Sequence, residues 1–260
     1  LAIIFNRIGL NPRLFVSSRS QTRFDTQTDL GIGMYRENAA RESTNLIYGG
    51  HCVIFSEVKD ASSREFKAAM EIYMASFQEN ERRPRPSIIE MLNCGRCRLI
   101  VGDTRDGIVF MALLYPLNGT SFLLGDYLAT MECHRNLGIG EAFLRYIFDE
   151  MKNMPFNHFL IQIENPHDGC DEMKNRRLNF YKRLGMKELT DVRHILPPLQ
   201  GTETTDLTLM TNPRGDEQFQ EGEIVRNLVI RMFGELYDRH EGDELLMRTL
   251  ETIPKLVRLD

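Results

Sequence analysis

An arginine and two glycines, Arg135-x-x-Gly138-x-Gly140, stand between an apolar run, Phe122 to Thr130, and a segment of helical periodicity, Ala142 to Met151. A second strand-like run, Phe159 to Glu164, follows, and the stretch closes on Phe180-Tyr181-Lys182-Arg183-Leu184-Gly185-Met186. The order reads strand, glycine turn, helix, strand, helix. It constrains the chain to an α/β arrangement in which a helix N-terminus opens beside strand ends. Free amides at such an N-terminus supply donors for an anion, and the macrodipole adds to the attraction. Gly138 and Gly140 let the backbone approach that anion closely, and Arg135 offsets its charge. Taken alone, the turn is either a phosphate cradle or a tight strand-to-helix connection. Two other phosphate motifs fit worse. A P-loop requires Gly-Lys-Ser/Thr where this chain has Gly140-Glu141-Ala142. A dinucleotide fingerprint requires a small residue where Phe143 stands.

The remaining chain frames this unit. Cys52 to Val58 reads as a first strand. Ser63 reads as the cap of a helix carrying Phe66, Ala69, Met70, Tyr73, Met74 and Phe77. Pro84 and Pro86 break that helix, and Ile88 to Asn93 forms a second. Arg98 to Gly102 and Ile108 to Tyr115 form a hairpin around Gly107. Val192 to Leu196 and Thr205 to Met210 read as two later strands. An α/β domain with a mixed sheet over residues 51–211 is the expectation. Residues 1–50 read as an irregular leader and residues 212–260 as a helical extension. In that extension Phe219, Val225, Leu228, Val229, Met232, Phe233 and Leu236 form an apolar stripe. The stripe either packs on the domain or makes a homodimer contact.

Composition narrows the setting. A net charge of -5 gives no support for a nucleic-acid or acidic-membrane partner. No apolar run reaches the roughly eighteen residues of a membrane span. Five irregularly spaced cysteines fit a reducing compartment, and a cytoplasmic location is expected. Residues 1–24 lack Asp and Glu and carry Arg7, Arg13, Arg19 and Arg23 among serines. They read either as a frayed leader or as a segment similar in composition to a mitochondrial presequence.

Together, Arg135-x-x-Gly138-x-Gly140 and Phe180-Tyr181-x-x-Leu184-Gly185-Met186 resemble the two coenzyme motifs of the GNAT superfamily of acyl-CoA N-acyltransferases, in particular small stand-alone bacterial acetyltransferases. The resemblance covers roughly Val53 to Thr211 and implies a mostly antiparallel mixed sheet, splayed at its centre and flanked by helices. It implies acetyl-CoA as co-substrate, no metal, and a small-molecule or peptide amine as acceptor. By the same resemblance Leu128, Ala129 and Thr130 hold the pantetheine arm. The loop Arg135, Asn136, Leu137, Gly138, Ile139, Gly140 and Glu141 holds the diphosphate. Asn165 joins the coenzyme site. Tyr181, expected near the start of the last helix, protonates the departing thiolate. The chain departs from the family pattern at Glu132 and Lys174. Intact motifs favour an enzyme, and the alternative is a non-catalytic acyl-CoA-binding module.

Direct attack by an amine needs a proton acceptor. Asp126 and Glu164, one on each strand flanking the thioester, are the candidates, each also readable as a structurally paired carboxylate. The backbone amide near Ala129 or Thr130 is the candidate donor to the carbonyl oxygen. Cys94-x-x-Cys97 is half of a zinc pattern, and Cys133-His134 with His167 and Cys170 complete it only on paper. Cys133, just before the turn, reads as a small buried hydrophobe or as a thiol reactive near the coenzyme. Glu81-Arg82-Arg83-Pro84-Arg85 reads as a solvated loop, or as a cover for the acceptor site. Tyr115 and Tyr127 either line that site or pack on the sheet.

Overall fold

The computed structural model describes residues 44–48, 51–167, 171–198, 204–213 and 215–260. The leader motif of residues 1–24 and Cys170 lie outside the described residues. Eleven strands and six α-helices run in this order: β1 Thr44–Tyr48, β2 His51–Val58, α1 Arg64–Ser76, α2 Arg85–Asn93, β3 Arg98–Thr104, β4 Gly107–Pro116, β5 Phe122–Thr130, α3 Ile139–Glu150, β6 His158–Glu164, α4 Glu172–Arg183, β7 Lys187–Glu188, β8 His194–Leu196, β9 Thr205–Asn212, β10 Phe219–Glu221, α5 Gly222–Tyr237, α6 Glu244–Thr252 and β11 Leu256–Arg258. The counts refer to the described residues.

The main sheet runs β1-β2-β3-β4-β5-β6-β9-β7, with β8 also on β9. Each pairing is antiparallel except β5 with β6, which is parallel. The mixed, mostly antiparallel sheet expected from the sequence is therefore present. Its one parallel pair sits at the centre because α3 carries the chain across one face between β5 and β6. Helices α1, α2, α5 and α6 pack on one face. Helices α3 and α4 pack on the other. Covered on both sides, β5 is buried at every position and reads as a continuous apolar run rather than an alternation.

Three local expectations change. Residues 1–50 read as an irregular leader, but Thr44–Tyr48 forms β1, with Tyr48 opposite His51. The overlooked signal is Leu46-Ile47-Tyr48 just before a Gly-Gly pair. Helix α4 begins at Glu172, so Tyr181 lies in its last turn rather than near its start. The Asp171 carboxylate accepts from the amides of Met173 and Lys174 and so nucleates the helix ahead of its apolar residues. Cys133 is exposed, because the 3₁₀ turn Glu132–His134 that carries it buries nothing.

The C-terminal stripe is used inside the chain except at Phe219, which lies in β10 and is exposed. Val225, Leu228, Val229, Met232, Phe233 and Leu236 of α5 join one core with α1 and α2. Burying each such side chain is worth about 1.5–3 kcal/mol relative to exposure, which accounts for the stripe without a second copy. The start of α5 is held against the end of the chain. The Gly222 N–H donates to the Lys255 carbonyl at 2.9 Å. A Cβ on Gly222 would stand 1.9 Å from the Pro254 carbonyl oxygen, a backbone atom that cannot swing away. Gly222→Ala is expected to cost about 3 kcal/mol or more by forcing α5 off β11. A urea-denaturation midpoint equal to the parent's would show the contact to be loose.

Candidate active site

The site begins with a register change. Leu113 of β4 pairs with Tyr127, but Leu114 pairs with Gly125, so Asp126 is an extra residue in β5. Before it, Phe122 and Leu124 face the α1 side and Leu123 the α3 side. After it, Tyr127 and Ala129 face the α1 side and Leu128 the α3 side. The bulge reverses the parity of the strand and bends it.

Pairing of β5 with β6 ends just before that bulge. It spans Phe122 to Gly125 against His158 to Ile161. Asp126–Thr130 and Gln162–Glu164 then continue without pairing to each other, so the sheet opens. Gly125 floors the opening. A Cβ there would meet the Phe159 ring at 2.7 Å, so only glycine lets the strands approach this closely. On its other edge, β5 remains on β4. The Met131 amide donates to the Val109 carbonyl. By strand alternation the backbone groups of Leu128 and Thr130 point away from β4, into the opening, while those of Ala129 point into the ladder. The Thr130 carbonyl accepts from Arg135 Nε at 3.2 Å, which ties the following loop to the strand end. Of the two candidate amides, that of Thr130 faces the opening and that of Ala129 does not.

The loop leads directly to an anion cradle. Asn136 and Gly138 both have positive φ, 65° and 79°. Asn and Gly are the residues that tolerate this conformation, and it curls successive amides toward one point. Gly138 caps α3 with no side-chain hydrogen bond. The first intrahelical bond runs from the Ala142 amide to the Gly138 carbonyl, so the Ile139 and Gly140 amides have no acceptor within the helix. The Glu141 side chain pairs with Arg145 at 2.9 Å and stays out of the cradle.

The other candidates divide. Asn165 closes a local turn, its Oδ1 accepting from the His167 amide at 2.9 Å. Glu164 is bound to Arg177 at 2.6 Å, and both side chains are largely buried. Tyr181 is fully buried on the α3 side, and burial pushes its phenol up, opposed by Arg177. Asp126 is 1% exposed, and no partner reaches its Oδ2. Burial raises its carboxyl to about 6 against the pull of Arg83. The structure thus brings Asp126, Leu128 and Thr130 to the opening and ties Glu164 and Asn165 into local pairs. Among the described residues no three His, Cys, Asp or Glu side chains gather as a metal site.

Arg83, which the sequence placed only within a segment read as a solvated loop or as a cover for the acceptor site, was not singled out as a site residue. The solvated-loop reading of Glu81 to Arg85 fails at two positions. Glu81 is 1% exposed, and Arg83 Nη1 donates to the Leu236 carbonyl of α5 at 3.0 Å. The guanidinium carbon of Arg83 lies 5.8 Å from the centre of the Tyr115 ring. The Tyr127 hydroxyl donates to the Glu81 carbonyl at 2.8 Å and anchors the same loop. Pro84 in the loop and Pro86 in the first turn of α2 were the available signal, because they restrict the chain there to few shapes.

No family model matches this chain, and no curated protein matches it. Solved structures do. A protein of Bacteroides thetaiotaomicron ascribed to the GNAT acetyltransferases superposes with a TM-score of 0.58 at 19% identity, covering 70% of this chain and 97% of that one. A GNAT acetyltransferase of Elizabethkingia anophelis with acetyl-CoA bound gives 0.44 at 18% identity, over 62% and 98% of the two chains. The ribosomal-protein-S18-alanine N-acetyltransferase of Escherichia coli gives 0.46 at 14% identity, over 64% and 96%. The first match carries the assignment: this chain has the fold of the GNAT acetyltransferases.

Proposed function

We propose that this protein is an acetyl-CoA-dependent N-acetyltransferase acting on a primary amine by direct attack. The opening between Asp126–Thr130 and Gln162–Glu164, which leads to the uncapped N-terminus of α3, carries the reading. An extended arm rich in amides suits the free edge of Leu128 and Thr130 as an added strand. A diphosphate suits the amides of Ile139 and Gly140 and the curl from Arg135 to Gly138. Acetyl-CoA joins these two features in one molecule.

The residues then divide the chemistry. The amine nitrogen bonds to the acyl carbon as the carbon–sulfur bond breaks. Asp126, ionised at neutral pH with its carboxyl at about 6, takes the proton that the amine gives up, directly or through water. The Thr130 amide meets the carbonyl oxygen as charge builds on it. Tyr181 keeps its proton at neutral pH and passes it to the departing sulfur. Glu164 takes the lesser role of orienting Arg177 beside that tyrosine.

Release of free thiol from acetyl-CoA across a panel of amines tests the reading. Tyr181→Phe is expected to lower kcat about 10²-fold or more while calorimetry shows CoA affinity little changed. A parental rate would remove Tyr181 from the mechanism. The second reading, a CoA-binding module without turnover, is favoured by the Glu164–Arg177 pair and the full burial of Tyr181. CoA binding with no amine-stimulated release would establish it.

A further inference from the structure

The α1-side face of the opening holds buried polar atoms that find no partner within the chain. Asp126 Oδ2 and Arg83 Nε are both buried, and no hydrogen-bond partner reaches either. Each feels the other's charge, and both act on Tyr237, the last residue of α5. A donor chain ends on that tyrosine. His194 Nε2 donates to Gln162 Oε1 at 2.8 Å, and Gln162 Nε2 donates to the Tyr237 hydroxyl oxygen at 3.4 Å. The Tyr237 oxygen is thus an acceptor in this chain, and its own proton is left to give. Buried polar atoms without partners are rare because each costs the desolvation it is never repaid. One acceptor, Asp126 Oδ2, and two donors, Arg83 Nε and Tyr237 O–H, are therefore set for a molecule of the opposite pattern.

The surroundings agree. A groove of about 640 Å³ runs between α1 and the loop before α2, with Tyr73 and Arg83 in its wall. Both residues feel the charge of Asp126. The charged residues of the groove are Lys67, Arg82, Arg83 and Arg85 against Glu71 and Glu79, an excess of positive charge in a chain that is acidic as a whole. From the groove wall Arg83 also reaches α5, its Nη1 donating to the Leu236 carbonyl next to Tyr237 at 3.0 Å.

We propose that the acceptor is a small molecule carrying both a primary amine and a carboxylate, its amine on Asp126 and its carboxylate on Arg83 and Tyr237, with α5 closing the pocket against larger substrates. The proposal rests on the transferase reading above for the fate of the amine. It makes the C-terminal helix part of the acceptor site, with Tyr237 and Arg83 as its specificity residues.

Matched pairs of amines test it on the full chain. β-Alanine is compared with ethylamine, and 4-aminobutyrate with propylamine, so that each pair differs by the carboxylate alone. Binding to the CoA-saturated protein is measured by calorimetry, and turnover by thiol release. The amino acid of each pair is expected to bind and react at least tenfold better, and a lysine-containing peptide is expected to fail. Equal use of the decarboxylated partner, or preference for the peptide, overturns the proposal. Tyr237→Phe, which removes one oxygen from the pocket, is expected to raise KM for the favoured amino acid at least tenfold with CoA affinity unchanged. An unaltered KM removes Tyr237 from the pocket. Failure of CoA to bind would instead defeat the transferase reading, and the amine pairs, titrated into the unliganded protein, would still report on the pocket.

Discussion

Gly138→Asp is expected to abolish CoA binding, a loss of at least a hundredfold in affinity, in a protein that still folds. The position has φ of 79°, where an L-residue is strained, but Asp is among the side chains that enter this region most readily. The strain costs about 1–2 kcal/mol. A carboxylate at the head of α3 recovers about 0.3–1 kcal/mol from the macrodipole, so the melting temperature should fall by a few degrees at most. Binding is affected quite differently. The new carboxylate lies where the diphosphate would meet the Ile139 and Gly140 amides, and it competes for them. At 4 Å two like charges repel by about 4 kcal/mol at an effective dielectric near 20, close to a thousandfold in affinity. Gly138→Ala supplies the contrast, since it carries the strain without the charge and should lose far less. Calorimetric titration of CoA into both variants decides. Parental affinity in the Asp variant would move the diphosphate away from this turn.

That turn was legible because its information is local. An arginine, two glycines and the flanking apolar runs lie within one stretch, and the positive φ of Gly138 is a property that only its neighbours impose. The span Phe122–Thr130 was legible for the same reason, as was the Ser63 cap, whose hydroxyl accepts from the Phe66 amide at 3.1 Å. The bulge at Asp126 was not. Nothing in Gly125-Asp126-Tyr127 marks which residue is surplus, because a bulge belongs to the pairing with Leu113 and Leu114. Arg83 was hidden by distance. Its partner at Leu236 lies 153 positions along the chain, and a run of charges ending in a proline looks solvated until that helix is in place. Helix α4 was misplaced at its start because Glu172 to Arg177 has no apolar stripe, and the capping Asp171 was its one sign. On the proposed reading, the donor half of the site is therefore written in contiguous sequence, and the acceptor half is assembled from a loop, a bulge and a distant helix.

The acceptor half gives the prediction with the clearest pH signature. In the parent, kcat/KM is expected to rise with pH and level off above about 6, as Asp126 loses its proton and becomes able to accept another. Asp126→Asn should lose about 10²-fold or more in rate and lose that limb. Little else in the pocket titrates in this window. Burial raises Tyr73 and Cys97 to about 12 and lifts Tyr115, Tyr127 and Tyr237 further, so all five stay neutral, while Arg83 stays charged. Stability supplies an independent reading of the same group. Burial raises Asp126 from its usual 3.8 to about 6, so between those values the folded chain holds a proton that the unfolded chain has lost. Stability from this group falls as pH rises through that range and is flat above it. His194 acts oppositely. Burial lowers it from 6.5 to about 4, so the unfolded chain holds the extra proton and stability rises with pH between those values. In the parent the two slopes offset each other. Asp126→Asn should unmask the histidine, giving a stability that climbs with pH from about 4 to 6.5 more steeply than the parent's. If the Asn variant keeps the rate limb near pH 6, another group takes the proton. If its stability profile matches the parent's, Asp126 is better solvated than its burial implies.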